Sequence, residues 1–137
     1  MTRISDALRH QVIERARGCC EYCLLHRDDN VFSHEVDHIV AEKHHDETVL
    51  DNLCLSCLDC NRHKGSDMTS IDLQTAEVVL LFHPRRDIWN EHFRLDSAQI
   101  IPLTAKGRVT ISLLHMNSDD QLAKRAELIL LGRYLRS

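Results

Sequence analysis

The chain has 137 residues, 43% hydrophobic content and a formal charge of −4, enough length for one compact core and too little positive charge for a protein that holds nucleic acid by bulk attraction. Residues 1–6 begin a charged amphipathic stretch rather than the apolar run of a secretory signal, and the late apolar run 128–131 is far too short to cross a bilayer. A cytoplasmic chain without membrane contact is expected, and no linker, internal repeat or low-complexity tract divides it.

Taken in order, Ser5 predicts the cap of a helix over 6–17, with Leu8, Val12 and Ala16 on one face and Gly18 as the stop. Residues 31–40 read as a strand, 42–51 as a polar loop, 53–55 as the return strand and 58–64 as a short helix ended by Gly65. Further on, 77–82 and 92–95 read as strands flanking a turn at 84–87, and Ile100-Ile101 adds another. Two helices finish the chain. The first, over 105–116, carries Val109, Leu113 and Met116 on one face; the second opens with the capping box Ser118-x-x-Gln121 and aligns Leu122, Ala126 and Ile129. These stripes are expected to face the core.

The cysteines carry the clearest signal. Cys20-x2-Cys23 and Cys57-x2-Cys60, with 33 residues between the pairs, can close four thiolates on one Zn2+ and tie distant segments together. Disulfides are the competing reading, disfavoured in a reducing compartment. Cys19 and Cys54 have no partner at ligand spacing and read as small buried hydrophobes, although Cys19 could replace Cys20 if the knuckle slipped by one residue.

Between the pairs lies Asp37-His38. Neighbours in a strand point to opposite sides, so these two are suited to different tasks rather than to chelating one ion together. Asp37 and the amide of Asn61 offer oxygens to a hard divalent cation such as Mg2+ or Mn2+ that keeps several waters. His38 is then free as a general base, since a histidine of ordinary pKa, about 6.5, accepts a proton from water at neutral pH.

The order Cys-x2-Cys, Asp37-His38-Ile39, Asp51-Asn52-Leu53, Cys-x2-Cys-Asn61-x2-Lys64 resembles the HNH endonucleases with their ββα-metal finger, and the resemblance covers residues 20–65. The stretches Leu81-Phe82-His83-Pro84-Arg85 and Trp89-Asn90-Glu91-His92-Phe93 look like the extension of a group of small bacterial HNH proteins. The fold so implied is α+β: a ββα-metal finger stapled by a four-cysteine zinc site, with a C-terminal strand and helix extension. It is read as one domain, with an N-terminal helix (1–18), the HNH and zinc-ribbon core (19–67) and the extension (68–137).

By the same resemblance His38 is the base that activates water, Asp37 and Asn61 hold the catalytic cation, and Asn52 fixes the catalytic loop and orients His38. The implied activity is hydrolysis of phosphodiester bonds in DNA, expected to be double-stranded, leaving 5′-phosphate and 3′-hydroxyl ends with low sequence specificity. Arg62, His63, Lys64, His83, Arg85 and Arg86 are the candidate nucleic-acid contacts.

The chain departs from the family at two places. Where some members carry a second helix histidine this one has Gly65, so hydration must complete the shell of the ion, and His63, about 200° around the helix from Asn61, is poorly aimed to help. The loop that is Gly-Gly in many members reads His44-His45, leaving open whether either joins the metal site. His10, His26, His34, His92 and His115 read as surface or satisfied polar residues, and Trp89 as a core anchor for the extension. The alternatives are a zinc-ribbon nucleic-acid-binding or scaffold protein with an idle site, which needs none of Asp37, His38, Asn52 and Asn61, and a redox protein using exposed cysteine pairs.

Overall fold

The computed structural model describes residues 3–134, so the outermost residues of the 1–18 helix region and of the 68–137 extension lie outside it. Ser5 caps α1 (Asp6–Arg15) by accepting a hydrogen bond from the Leu8 amide at 3.2 Å. The helix ends two residues earlier than its pattern suggests, because the chain reverses through Arg17 and Gly18, both at positive φ. Its buried Val12 packs with Ile4, Val36, Leu53 and Leu55, which seats the helix on the back of the first hairpin.

That hairpin pairs β1 (Glu35–His38) with β2 (Leu53–Ser56), antiparallel, with Asp37 opposite Cys54 and His38 opposite Leu53. The strand expected over 31–40 is confined to four residues. Its partner is equally short, and the His34 imidazole bonds to the Leu25 carbonyl at 2.8 Å instead of extending the ladder. Val31 and Phe32 are exposed. α2 (Leu58–Lys64) follows β2 directly, started by Cys57 and ended by Gly65 at φ 52°, a left-handed conformation that glycine adopts at little cost. The order strand, loop, strand, helix is the ββα finger, and the fold is the expected α+β arrangement.

The extension begins with an unforeseen strand. β3 (Thr69–Ile71) pairs with β4 (Val78–Leu80), and the segment expected to run to 82 leaves the sheet so that Leu81 and Phe82 enter the core. Asp72, buried in the hairpin turn, is clamped to Arg108 by bonds of 3.1 and 2.8 Å, and these hold its carboxyl down to about 2. A short α3 (Trp89–His92) leads into the hairpin of β5 (Phe93–Asp96) and β6 (Gln99–Pro102), then α4 (Ala105–Leu114) and α5 (Asp119–Leu130). α4 passes so close to the end of α3 that a Cβ on Gly107 would sit 2.3 Å from the His92 carbonyl oxygen. Any other residue there would push the helix away.

Val109 is buried, as its stripe on α4 predicts; the helix expected to reach 116 ends at Leu114, where His115 turns left-handed, and Met116 is buried beyond it. On α5 the stripe is displaced: Arg125 and Leu128 are buried while Ala126 is exposed. Arg125 overrides the pattern because its guanidinium is satisfied by the carbonyls of Ala98 and Met116, at 2.6 and 2.8 Å. Ser118 caps the helix, but the Gln121 side chain bonds to Asp59 on α2 rather than closing the box. One buried cluster runs from Cys20, Cys23, Cys57 and Cys60 through Phe82, Phe93 and Ile100 to Leu114 and Leu128, so the knuckles and the extension share a core. Among the described residues no helix is long and apolar enough to cross a membrane.

Candidate functional site

Two centres flank the finger. At the first, the sulfurs of Cys20, Cys23, Cys57 and Cys60 all lie within 4.8 Å of one another, every one of them buried. A tetrahedral zinc with bonds of about 2.3 Å to sulfur has sulfur–sulfur edges of roughly 3.8 Å; Cys23 and Cys57 are 3.7 Å apart. In each knuckle the second cysteine's amide donates to the first one's sulfur at 3.4 Å, Cys23 to Cys20 and Cys60 to Cys57, which favours thiolate over thiol. Donor set, spacing and burial are compatible with zinc. Cys19 and Cys54 stay outside the cluster, both buried, and burial pushes the Cys54 thiol up to about 12. Trp89 anchors the extension here, its indole donating to the Tyr22 carbonyl at 2.8 Å.

The second centre is an open groove of about 550 Å³ lined by Asp37, His38 and Asn61, together with Ala41, Glu42 and Gly65. β1 delivers the first two, α2 delivers Asn61, and Gly65 leaves space where a larger residue would stand. The His38 Nε2 lies 2.8 Å from the Thr48 hydroxyl and 3.7 Å from a Glu42 carboxylate oxygen. Neither partner was legible in the sequence, since both sit in a polar loop with no ligand spacing to mark them.

Asn52 and Lys64 hold the backbone just after His38. The Asn52 side chain accepts from the Val40 amide at 2.9 Å and donates to the carbonyls of Val40 and Glu47, pinning both ends of the loop. Lys64, expected as a solvent-facing phosphate contact, is turned inward instead: it is 5% exposed and its ammonium donates to the Ile39 carbonyl at 2.9 Å. Burial lowers its pKa, with Cys54 and Asp37 pulling the other way.

The other basic candidates separate. Arg62, His63 and Arg86 are exposed. Arg85 is not available: it pairs with Glu21, which also accepts from the Leu55 amide, and both side chains are largely buried. His83 caps its own turn, its Nδ1 accepting from the amides of Arg85 and Arg86, and burial followed by Arg86 lowers its pKa. His63 stacks on His115 at 4.2 Å rather than lining the groove, and His44 bonds to the Ser66 carbonyl.

Comparison with known proteins bears on this same segment. Residues 20–67 match the HNH endonuclease family. The HNH match spans both knuckles, the hairpin and α2. The chain is also similar to Septu protein PtuB of Bacillus thuringiensis, 26% identical over 113 residues that cover 81% of this chain and 41% of that protein. It is similar too to Septu protein PtuA of Bacillus mycoides (strain KBAB4), 32% identical over 88 residues, covering 56% of this chain and 12% of that protein. The chain thus spans less than half the length of either relative. No solved structure matches it.

Proposed function

We propose that the HNH segment is a metal-dependent endonuclease site that hydrolyses phosphodiester bonds in DNA. One observation carries the reading: His38 shares an open groove with Asp37 and Asn61, and its Nε2 is engaged by a hydroxyl. A proton on Nε2, donated to Thr48, leaves the lone pair on Nδ1, the nitrogen that takes a proton from the attacking water. Asp37 and Asn61 are the residues that would hold a Mg2+ or Mn2+ ion. Such an ion supplies Lewis-acid stabilisation of the charge that develops on the phosphate and leaving oxygens.

Asn52 keeps the loop against β1, so that His38 does not drift from the scissile bond. A misplacement of about 1 Å would cost on the order of a hundredfold in rate. Arg62, His63 and Arg86 remain exposed to meet the phosphate backbone, contacts that position a strand without reading its sequence. The products are then 5′-phosphate and 3′-hydroxyl ends. The test is nicking of supercoiled plasmid with Mg2+, Mn2+ and Zn2+ in parallel, intact protein against His38→Ala: metal-dependent nicking lost in the variant supports the site, and equal nicking by both removes His38 as base.

A further inference from the structure

We propose that a cavity beside the catalytic groove receives one unstacked pyrimidine base of the bound strand, adjacent to the phosphate being cut. The proposal rests on the nuclease reading and supplies what that reading lacks, a means of selecting where to cut.

The cavity holds about 120 Å³ and lies between the finger and the extension, walled by Ile39, Val40, Met68, Leu80 and Phe82, with Lys64 among its lining residues. An apolar cavity of ~150 Å³ takes up a benzene ring, so the space suits a single six-membered ring and is small for a fused purine. Its lining neighbours that of the groove along the chain. Ile39 directly follows His38, and Asp67 directly follows Ser66, the last residue lining the groove. Consecutive Cα atoms are about 3.8 Å apart, so the two linings meet at both of these junctions, and the proposal places the base next to the phosphate at His38 across them.

Polar chemistry favours a base over a hydrocarbon. The Lys64 ammonium has three N–H donors, and the Ile39 carbonyl takes one of them. Pyrimidine carbonyl oxygens, such as O2 and O4 of thymine, are acceptors for such a donor. Lys106, also on the lining, is occupied by Asp87 at 3.0 Å, which neutralises that carboxylate. Of the remaining charges, Arg86 and Asp67 are both exposed, so the mouth carries a cation suited to the next phosphate together with one carboxylate. His83, half-buried in its turn, completes that side.

The experiment uses the full chain and short DNA strands in which each position in turn is made abasic. Binding is read by fluorescence anisotropy in a His38→Ala background, and cleavage sites are mapped with His38 intact. Both are repeated with Met68→Trp, which fills the cavity; Leu80→Trp, at a more exposed wall position, replaces it if that protein fails to fold. Base stacking in single-strand sites is typically worth about tenfold in affinity. The expected result is a loss of that size when one position beside the cut is abasic, a pyrimidine preference at that position, and the disappearance of both in the cavity-filling variant.

Strand binding with no abasic effect, or a preference that survives Met68→Trp and Leu80→Trp, overturns the base pocket while leaving the nuclease reading intact. Absence of strand binding overturns it as well. A base effect on binding without any cleavage sustains the pocket and sinks the nuclease reading. Displacement of bound strand by free cytidine monophosphate, with no abasic effect, assigns the cavity to a free nucleotide and overturns the proposal.

Discussion

The two centres on either side of the finger are opposites. The cysteine cluster is sealed, the sulfurs of Cys20 and Cys57 bonded to backbone amides and all four cysteines packed into the same core as Phe82 and Phe93. The groove at Asp37, His38 and Asn61 is open, and its one imidazole is held through a loop residue, Thr48. A closed four-thiolate site suits a structural ion, whereas a catalytic site must keep positions for water and substrate. On the proposed reading this is a division of labour, with stability in one centre and reactivity in the other, while the side chains of Asn52 and Lys64 hold the backbone just after His38.

The strongest way to break this division is Cys57→Ser. It is expected to remove zinc and, with it, folding free energy on the order of 10 kcal/mol, so that the melting transition collapses and activity goes with it; an unchanged melt measured alongside zinc content would refute the structural site. His38→Ala works from the other side. Nicking should fall by about 10² to 10⁴, the range of a lost general base, with zinc stoichiometry and melting temperature preserved, and a parallel loss of stability would show that the two centres are not separate.

Thr48→Val sharpens the comparison within the groove. It removes the hydroxyl hydrogen-bonded to the His38 Nε2, and kcat is expected to drop about tenfold, equivalent to ~1.4 kcal/mol, with KM little changed; retained kcat would dismiss Thr48 as a positioning residue.

The smallest effect concerns acid. Asp72, its carboxyl held down by Arg108, contributes stability above the unfolded carboxyl pKa of about 3.9, and this contribution is lost as pH falls toward its folded value of about 2. The difference in melting temperature between the intact protein and Asp72→Asn should therefore shrink across that window, and taking the difference cancels protonation of the thiolates. A constant difference would contradict the clamp.

How much of this was legible beforehand depended on the range of the interactions involved. The ββα order, the helix caps at Ser5 and Ser118 and the end of α2 at Gly65 follow from local residues, and all are present. Strand β3 carries no sequence signal, because Thr69-Ser70-Ile71 is too short to show alternation and only its pairing with β4 makes it a strand. The buried face of α5 departs from its apolar stripe because Arg125 finds buried carbonyl partners that no periodicity reveals. Within the candidate site, Asp37, His38 and Asn61 were named from motif and share one groove, but the fate of the cations was not: Arg85 is taken by Glu21, and Lys64 by Ile39.

Spacing alone determined that four cysteines could meet at one ion and that an acid–histidine pair would lie on the strand between them, because ligand and strand geometry are short-range and repeat faithfully. The tertiary structure decided which charges face solvent, which hydroxyl holds the imidazole, and where a base-sized cavity lies. These depend on contacts such as the one between Lys64 and the Ile39 carbonyl, 25 residues away, made only once the core has closed and each buried polar group has had to find its partner.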